Sequence, residues 1–231
     1  LDHWGCWIYI QDRDNDYLWS ATQQPVNATS VSHVVRFFAH KAEFYRIDAA
    51  IAVTTEVTVS PDHDVELRRV TLHNQDRRPR RLAVSSYGEV VMAAAGGDTR
   101  HPAFNKLFIE SELLPRSAGL IFRRRPRAAG EQPVLVAHAV VGAGRMPRNG
   151  QSYESDRAHF LGRGGSVRAP AALRRSRDQL SGTVGATLDP IFALQREIDL
   201  QPDESAQLVF VTAAASSQAK LLDMLGQYAT L

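Results

Sequence analysis

The chain has 231 residues, of which 44% are hydrophobic and 23% are charged, and its formal net charge is +2. These values are typical of a globular protein with a substantial core, and the lack of any run of eighteen apolar residues argues against direct membrane insertion. A single cysteine, Cys6, excludes an intrachain disulfide and leaves no second thiol for a metal site.

The first predicted element is a hairpin over residues 7–22. It opens with the alternating stretch WIYIQ, continues through a charged and amide run from Asp12 to Asp16, and closes on Tyr17 and Trp19. Three interpretations compete: a calcium loop, a catalytic carboxylate pair, and a hairpin tip beside an aromatic platform for a sugar. The calcium loop is disfavoured because Tyr17 and Gln23 occupy the positions where an EF-hand needs Gly and Glu.

The other two interpretations of the hairpin depend on its surroundings. Two catalytic carboxylates must project into one cleft, which spacing within a tip does not establish, and Asp/Asn clusters are typical of solvated turns. Aromatic faces beside polar groups suit a sugar, whereas burial in the core is the default position for a single tryptophan such as Trp19. The sequence does not decide whether Trp19 lies in the core or in a sugar-binding site.

Strands are predicted over most of the remaining chain. Period-two alternation indicates strands at 51–60, 81–92 and 192–200. In 65–74 the apolar parity changes between Leu67 and Val70, which indicates either a β-bulge or a strand buried on different faces along its length. The runs at 133–141 and 206–214 are continuously apolar, as in strands covered on both faces. With turn signals between strands and no βα alternation, the chain is predicted to be an all-β antiparallel sandwich.

Two segments depart from this pattern. Residues 142–181 are rich in Gly, Arg and Ser and are too long for a plain connection, so we expect a functional loop or an excursion over a sheet. The tail is predicted to be helical because Leu221, Met224, Leu225 and Tyr228 recur at helical spacing after a candidate N-cap at 216 or 217. We therefore expect a β domain over 1–215 and the start of a linker helix over 216–231, whose apolar stripe would need a partner beyond this chain.

Ligand and partner motifs are sparse. Arginine clusters at 77–81, 123–127 and 174–177 could contact phosphates, but no aromatic stacking pattern or reader motif accompanies them, so we predict no nucleic-acid partner. The histidines lack metal-ligand spacing, and the stretch GRGGS at 162–166 lacks the lysine and strand–helix context of a phosphate loop. We predict no metal, no cofactor and no catalytic residue.

Four separated stretches resemble one enzyme family. Residues 2–22 resemble the opening of the N-terminal sandwich in cellobiose-phosphorylase-type enzymes, and residues 99–112, 159–173 and 180–195 resemble the cyclic β-1,2-glucan synthase branch. The resemblance implies a galactose-mutarotase-like supersandwich of two large antiparallel sheets. In the relatives, a linker helix follows, and then an (α/α)₆ barrel that carries the catalytic acid and the phosphate-binding residues.

The resemblance also implies a function. We expect a non-catalytic, carbohydrate-associated module cut from a larger bacterial inner-membrane enzyme and lying on its cytoplasmic face. Its expected partners are a β-glucan oligosaccharide, the (α/α)₆ catalytic domain of the same parent chain, and a second copy in a homodimer. The alternatives are a purely structural dimerisation domain and a self-sufficient sugar-active enzyme of mutarotase-like fold, which a buried His–Glu pair in a cleft would favour.

The candidate sugar-binding residues come from the hairpin and from two of the other motifs. They are Asp12, Arg13, Asp14, Asp16, Tyr17, Trp19, Asn105, Lys106 and Arg163.

Overall fold

The computed structural model describes residues 5–114, 119–126, 130–145, 153–174 and 179–228. These residues form fourteen strands: β1 (Cys6–Asp12), β2 (Leu18–Ser20), β3 (Ser32–Phe37), β4 (Ala42–Asp48), β5 (Ile51–Val59), β6 (Val65–Asn74), β7 (Arg80–Glu89), β8 (Ile109–Leu114), β9 (Gly119–Arg124), β10 (Leu135–Gly142), β11 (Tyr153–Asp156), β12 (Gly185–Ala186), β13 (Pro190–Leu200) and β14 (Ser205–Ala215). The helices are α1 (Ala95–Arg100), α2 (Pro102–Lys106), α3 (Arg157–Leu161) and α4 (Gln218–Tyr228), with one 3₁₀ turn at Ala171–Leu173.

The strands form two antiparallel sheets. The smaller sheet has the order β11-β13-β7-β1-β2, and the larger one has the order β12-β8-β9-β10-β14-β6-β5-β4-β3. This confirms the predicted all-β, two-sheet architecture, with the strands at 51–60, 65–74, 133–141, 192–200 and 206–214 close to their expected bounds. Alternation identified the strands at 51–60 and 192–200 because each presents one parity of side chains to the space between the sheets.

The main core lies between the two sheets. Ile8 and Ile10 of β1 and Val84 of β7 face it from the smaller sheet, while Val70 and Phe210 face it from the larger sheet. Because the side-chain period of a strand is two, the alternate residues of β1 and β7 point to the opposite, outer face of the smaller sheet. That outer face carries a second core of its own.

The central part of the outer face of the larger sheet, over β10 and β14, is covered by α4. Leu221, Met224 and Leu225 of the helix are buried against Ala137 of β10 and Val211 of β14. The apolar stripe of the helix therefore has its partner within this chain, which corrects the expectation of a partner beyond it. Ser217 caps the helix, since its Oγ accepts the Lys220 N–H at 3.3 Å.

This arrangement explains the apolar patterns of the strands beneath α4. Val65 and Leu67 of β6 pack on the helix side, whereas Val70 and Leu72 face the core between the sheets. The β6 strand keeps a continuous register with β5 and with β14, so the parity change reflects burial on two faces and not a bulge. The continuous apolar runs of β10 and β14 have the same cause.

The outer face of the smaller sheet is covered by the segment around α3. Tyr9 and Tyr87 of the sheet pack with Phe160, Leu173 and Leu180. The glycine-rich region is thus an excursion over the sheet, at least in its described part. The sequence did not predict α1, α2 and α3, because five or six residues are too few to show helical periodicity.

Two further findings concern helices and ligand groups. Across the described ranges, no helix combines the length and apolar character needed to cross a membrane. The same residues contain no cluster of three or more His, Cys, Asp or Glu side chains arranged to hold a metal ion.

Candidate functional site

The charged run of the first hairpin forms a self-bonded turn. The Asp12 N–H donates to the Tyr17 carbonyl at 2.9 Å, and the Asp16 N–H donates to the Asp12 carbonyl at 2.8 Å. Side chains close the tip: Asp12 Oδ1 accepts the Asp14 N–H and Asn15 Oδ1 accepts the Tyr17 N–H, each at 2.9 Å. Asp16 has a positive φ of 61°, which Asp and Asn tolerate better than most residues. These are the bonds for which turns use Asp and Asn.

Asp12 has a structural partner. Its carboxylate is buried and forms an ion pair with the buried guanidinium of Arg80. Arg80 also donates to the Ala49 carbonyl at 2.6 Å and to Asp76 Oδ2 at 3.2 Å. Because both charges are desolvated and paired, this carboxylate is held away from any ligand at the tip.

Arg13 and Asp14 differ in exposure. The Arg13 side chain is 10% exposed and donates to Gln11 Oε1 at 2.9 Å and to Gln195 Oε1 at 3.3 Å on the outer face of the smaller sheet. Asp14 lies 3.2 Å from the Arg81 guanidinium in an exposed ion pair. Of the charged tip residues, Asp14 is exposed, Asp16 is partly buried and Asp12 is fully buried.

The two aromatic residues of the hairpin have different environments. Trp19 is fully buried in the core between the sheets, whereas Tyr17 is 36% exposed. Their rings stack with centroids 5.4 Å apart and an interplanar angle of 26°. Partial burial and the neighbouring Asp48 carboxylate raise the pKa of the Tyr17 hydroxyl. In this structure Trp19 is a core residue that supports Tyr17, and only the Tyr17 ring is open to a sugar.

The remaining candidates lie on other elements. Asn105 is buried, and its amide donates to the Gly97 carbonyl at 2.9 Å and the His101 carbonyl at 3.1 Å, which holds α1 against α2. Lys106 Nζ lies 2.5 Å from Asp189 Oδ1. Arg163 is exposed and follows α3 in a turn that contains Gly162 and Gly164 at positive φ.

The structure does not bring the hairpin tip and Lys106 together. The tip lies beside the start of β7, since the Arg13 N–H donates to the Arg81 carbonyl. Lys106 pairs with Asp189, which lies beside the other end of β7, where Val90 donates to the Pro190 carbonyl. β7 is ten residues long, which corresponds to about 30 Å at 3.3 Å per residue. A short oligosaccharide cannot contact both ends at once.

A charged cluster surrounds Lys106 at that far end. Arg157 Nε lies 3.2 Å from Glu89 Oε1, and Arg157 Nη1 lies 3.7 Å from Asp189 Oδ2. The Tyr87 hydroxyl donates to the same Glu89 oxygen at 3.1 Å. Sequence reasoning missed this cluster, and no spacing signal could have found it, because its members come from separate elements that only folding places together.

One histidine–carboxylate pair bears on the enzyme alternative. His159 Nδ1 lies 3.9 Å from Glu154 Oε2, but the His159 side chain is 55% exposed. Glu154 Oε1 accepts the backbone N–H groups of Ser155 and Asp156, and Oε2 accepts the hydroxyls of Ser181 and Thr183. The carboxylate is thus saturated by structural donors, and the arrangement differs from a buried pair in a cleft.

The described arginine clusters form ion pairs with nearby acids. In the first cluster, Arg78 and Arg80 pair with Asp76, and Arg81 pairs with Asp14. In the second cluster, Arg123, Arg124 and Arg125 pair with Glu112, Glu131 and Glu110 respectively. The third cluster, 174–177, lies largely outside the described residues.

A groove of about 520 Å³ opens between α4 and the turn that joins β5 to β6. Its floor is apolar, with Val65, Val136 and Met224, and the acidic turn residues Asp62 and Asp64 form its rim. The Tyr228 hydroxyl donates to Ser60 Oγ at 2.8 Å and lies 3.2 Å from His63 Nδ1, which ties the helix to this turn. None of the predicted site residues lines this groove.

The family profile described as glycosyl hydrolase 94, supersandwich domain, matches residues 1–231. The chain belongs to this family. A curated relative, the cyclic beta-(1,2)-glucan synthase NdvB of Rhizobium meliloti, is 36% identical over 214 residues, which cover 93% of this chain and 8% of the synthase. The cellobionic acid phosphorylase of Neurospora crassa is 25% identical over 98% of this chain and 27% of its own length.

This supersandwich domain therefore spans a small part of the curated relatives that it matches. Among solved structures, a bacterial glucoamylase in complex with acarbose matches 96% of this chain and 28% of its own chain, with a TM-score of 0.52 at 10% identity. At that identity the match shows the fold alone. The description of the family as a supersandwich agrees with the two antiparallel sheets seen here.

Proposed function

We propose that this supersandwich domain is a non-catalytic module of a glucan-handling enzyme and contacts a β-glucan through the tip of its first hairpin. The observation that carries the proposal is the family match over the whole chain, together with the similarity to a cyclic glucan synthase that is much longer than this chain. In this proposal an (α/α)₆ domain of the parent chain performs the chemistry. The parent lies in a bacterial inner membrane with this module on the cytoplasmic face.

The glucan contact is assigned to the exposed part of the hairpin. The Tyr17 ring presents one face while Trp19 supports the other, and Asp14 and Asp16 precede it in the same turn. A pyranose ring has apolar faces and hydroxyls at its edge, so an aromatic face flanked by carboxylates suits it. In this proposal Asp12, Arg13 and Trp19 support the surface from beneath, and Asn105, Lys106 and Arg163 are not assigned to it.

The lack of catalysis is proposed on the environments of two of the buried carboxylates. Asp12 is neutralised by Arg80, and Glu154 is saturated by hydroxyl and backbone donors. A general acid or nucleophile needs a carboxylate that faces the substrate. We therefore expect no release of glucose 1-phosphate from β-1,2-glucan by this chain alone.

Calorimetric titration with β-1,2-glucan oligosaccharides of defined length tests the proposal. One stacked ring contributes about 1–2 kcal/mol. With hydrogen bonds from the carboxylates to the sugar hydroxyls supplying the rest of the ~4 kcal/mol required, we expect a dissociation constant near 1 mM. Tyr17→Ala should weaken binding by about tenfold and leave the fold intact, because the Tyr17 side chain is partly exposed.

Lys106→Ala is the matched control, because it removes a candidate residue at the far end of β7. Loss of binding in Lys106→Ala but not in Tyr17→Ala would place the contact at the far end and contradict the assignment. No measurable heat for the unaltered domain at high oligosaccharide concentration would leave only the structural role.

A further inference from the structure

The excursion over the smaller sheet carries basic charge and no acidic charge of its own. Residues 157–174 contain four arginines and one histidine but no Asp or Glu. The first of these arginines, Arg157, is neutralised by ion pairs with Glu89 and Asp189. The counter-charge for the other three arginines must come from another segment of the chain or from a ligand.

The other three arginines are Arg163, Arg168 and Arg174, and all three are exposed. Within the part of the chain that the structure describes, their guanidinium groups form no ion pair and no hydrogen bond. By contrast, the Arg125 side chain is 61% exposed and still lies 3.2 Å from the Glu110 carboxylate. Exposure alone therefore does not explain why the three lack partners, and their charges are available to a ligand.

The three arginines lie on one compact loop, residues 162–174, which we call the arginine loop. Its two ends are in contact, since a Cβ at Gly162 would lie 2.5 Å from the Ala171 Cβ. Beyond this contact, the Arg174 N–H donates to the Ala171 carbonyl at 3.3 Å. Because the loop closes on itself in this way, its three guanidinium groups form one patch of positive charge.

Side chains of the smaller sheet hold the underside of the arginine loop. The Tyr9 hydroxyl donates to the Val167 carbonyl at 2.7 Å, and the Gln11 amide donates to the Leu173 carbonyl at 2.9 Å. The side chains of Val167 and Leu173 pack in the apolar cluster on the outer face of this sheet. In each case the next residue is an exposed arginine. The loop is thus anchored on one side and presents its positive charge on the other.

We propose that the arginine loop binds the anionic headgroups of a lipid bilayer. Guanidinium groups form bidentate, charge-assisted hydrogen bonds with phosphate oxygens, and separate exposed arginines can each contact a separate headgroup. The inference rests on the proposed function, which places this domain on the cytoplasmic face of an inner membrane. The negative surface potential of a cytoplasmic leaflet attracts basic segments. The contact is adsorption to the surface of the bilayer, without insertion of the chain into the hydrocarbon.

The composition of the loop favours a bilayer over a nucleic acid. Proteins that bind single-stranded nucleic acids combine positive charge with aromatic side chains on which the bases stack, and residues 162–174 contain no aromatic residue. A bilayer requires only that the positive groups face outward together, because its phosphates form a broad surface. The arginine loop meets this requirement.

Co-sedimentation of the unaltered chain with lipid vesicles tests the proposal. We expect it to bind vesicles of phosphatidylcholine and phosphatidylglycerol in equal parts and not to bind vesicles of phosphatidylcholine alone. Each arginine at an anionic surface strengthens the partition by about fivefold, so the triple variant Arg163→Gln, Arg168→Gln, Arg174→Gln should weaken it by about a hundredfold. Added sodium chloride should release the bound chain, because salt screens the attraction.

The matched control removes the same charge from other elements. Arg36, Arg78 and Arg125 are also exposed, but each pairs with an acidic residue. Changing all three to Gln should weaken the partition by less than about fivefold. Circular dichroism should give the same spectrum for both triple variants and the unaltered chain, because every altered side chain is exposed.

Several outcomes would overturn the proposal. They are no binding to the anionic vesicles, equal binding to both kinds of vesicle, and equal losses in the two triple variants. Release by inorganic phosphate, but not by sodium chloride of the same ionic strength, would assign the loop to a free phosphate ion instead. Tighter binding to a DNA duplex than to the anionic vesicles, at the same phosphate concentration, would assign it to nucleic acid.

Lipid binding and glucan binding fail separately. The triple variant of the arginine loop should titrate with β-1,2-glucan like the unaltered chain, whereas Tyr17→Ala should bind the anionic vesicles like the unaltered chain. Vesicle binding without glucan binding would contradict the glucan contact alone, and glucan binding without vesicle binding would contradict this inference alone.

Discussion

Asp12 and Arg80 form a buried ion pair between the first hairpin and the start of β7, although 68 residues separate them in the chain. Asp14, two residues further along the same hairpin, forms an exposed ion pair with Arg81. Two neighbouring carboxylates and two neighbouring arginines thus make pairs of very different burial. The charged run thus contains one buried carboxylate, Asp12, which holds the hairpin to β7, and a tip that is exposed to solvent.

This contrast predicts unequal stability effects. Asp12→Asn removes the fully buried one of the two carboxylates that pair with Arg80, and only the partly exposed Asp76 remains. The free energy of unfolding should therefore fall by about 3 kcal/mol, the lower end of the range for a broken buried ion pair. Asp14→Asn breaks an exposed pair and should cost less than about 1 kcal/mol. Urea unfolding followed by circular dichroism measures both. Equal effects in the two variants would contradict the role of Asp12 as an anchor.

A second prediction concerns the pH dependence of stability. His138 is buried between the sheets, its ring stacks on Phe192 with centroids 4.0 Å apart, and its nitrogens lie 2.9 Å from the hydroxyls of Thr212 and Ser86. Desolvation, with a smaller contribution from the Arg68 charge, lowers the pKa of His138 to about 3. Below the ordinary histidine pKa the unfolded chain binds a proton that the folded chain does not.

His138 should therefore destabilise the fold progressively as the pH falls from about 6.5 toward 3, by up to about 1.4 kcal/mol per pH unit. Above pH 6.5 it should contribute no pH dependence, because both states are then neutral. His138→Gln should flatten the curve of unfolding free energy against pH in this window. Parallel curves for His138→Gln and the unaltered chain would refute the conclusion that the lowered pKa of His138 causes the loss of stability at low pH.

A third prediction concerns the close approach of Gly88 to Phe192. A Cβ at Gly88 would lie 2.1 Å from Phe192 Cζ, and the stacked His138 ring restricts movement of the phenyl group. Gly88→Ala should therefore destabilise the domain by about 1–3 kcal/mol through overpacking. Phe192→Leu in the same chain should recover part of that loss, as measured by a double-mutant cycle. Simple additivity of the two substitutions would show that the clash is relieved elsewhere.

A fourth prediction uses two neighbouring leucines of α4. Leu221 is fully buried against the larger sheet, whereas Leu222 is 41% exposed. Leu221→Ala should cost about 2–5 kcal/mol, and Leu222→Ala should stay within about 0.5 kcal/mol of the unaltered chain. Thermal unfolding of both variants measures the difference. A small effect of Leu221→Ala would mean that α4 is not integral to the domain and would favour its description as a linker from residue 216 onward.

Local pattern was enough to predict the first hairpin, β5, β6, β7, β10, β13, β14 and the last helix, but it did not single out β4, β8, β9, β11 and β12. Alternation identified β5 and β13 because each must present one parity of side chains to a core. The unbroken apolar runs of β10 and β14 indicated burial on both faces before the covering elements were known. The spacing of Leu221, Met224 and Leu225 gave α4, because helical periodicity is local to the chain.

The tertiary structure decided what the candidate site residues do, because burial and ion pairing depend on segments distant in sequence. Trp19 became a core residue only when the second sheet packed over it, and Asp12 became an anchor only when Arg80 reached it. The length of β7 separates the hairpin tip from Lys106, although both belong to stretches that resemble one family. The exposed edge of β3 follows from the order of the strands in the larger sheet. Alternation of apolar and polar residues shows which face of a strand is buried, but it does not show which strands are its neighbours.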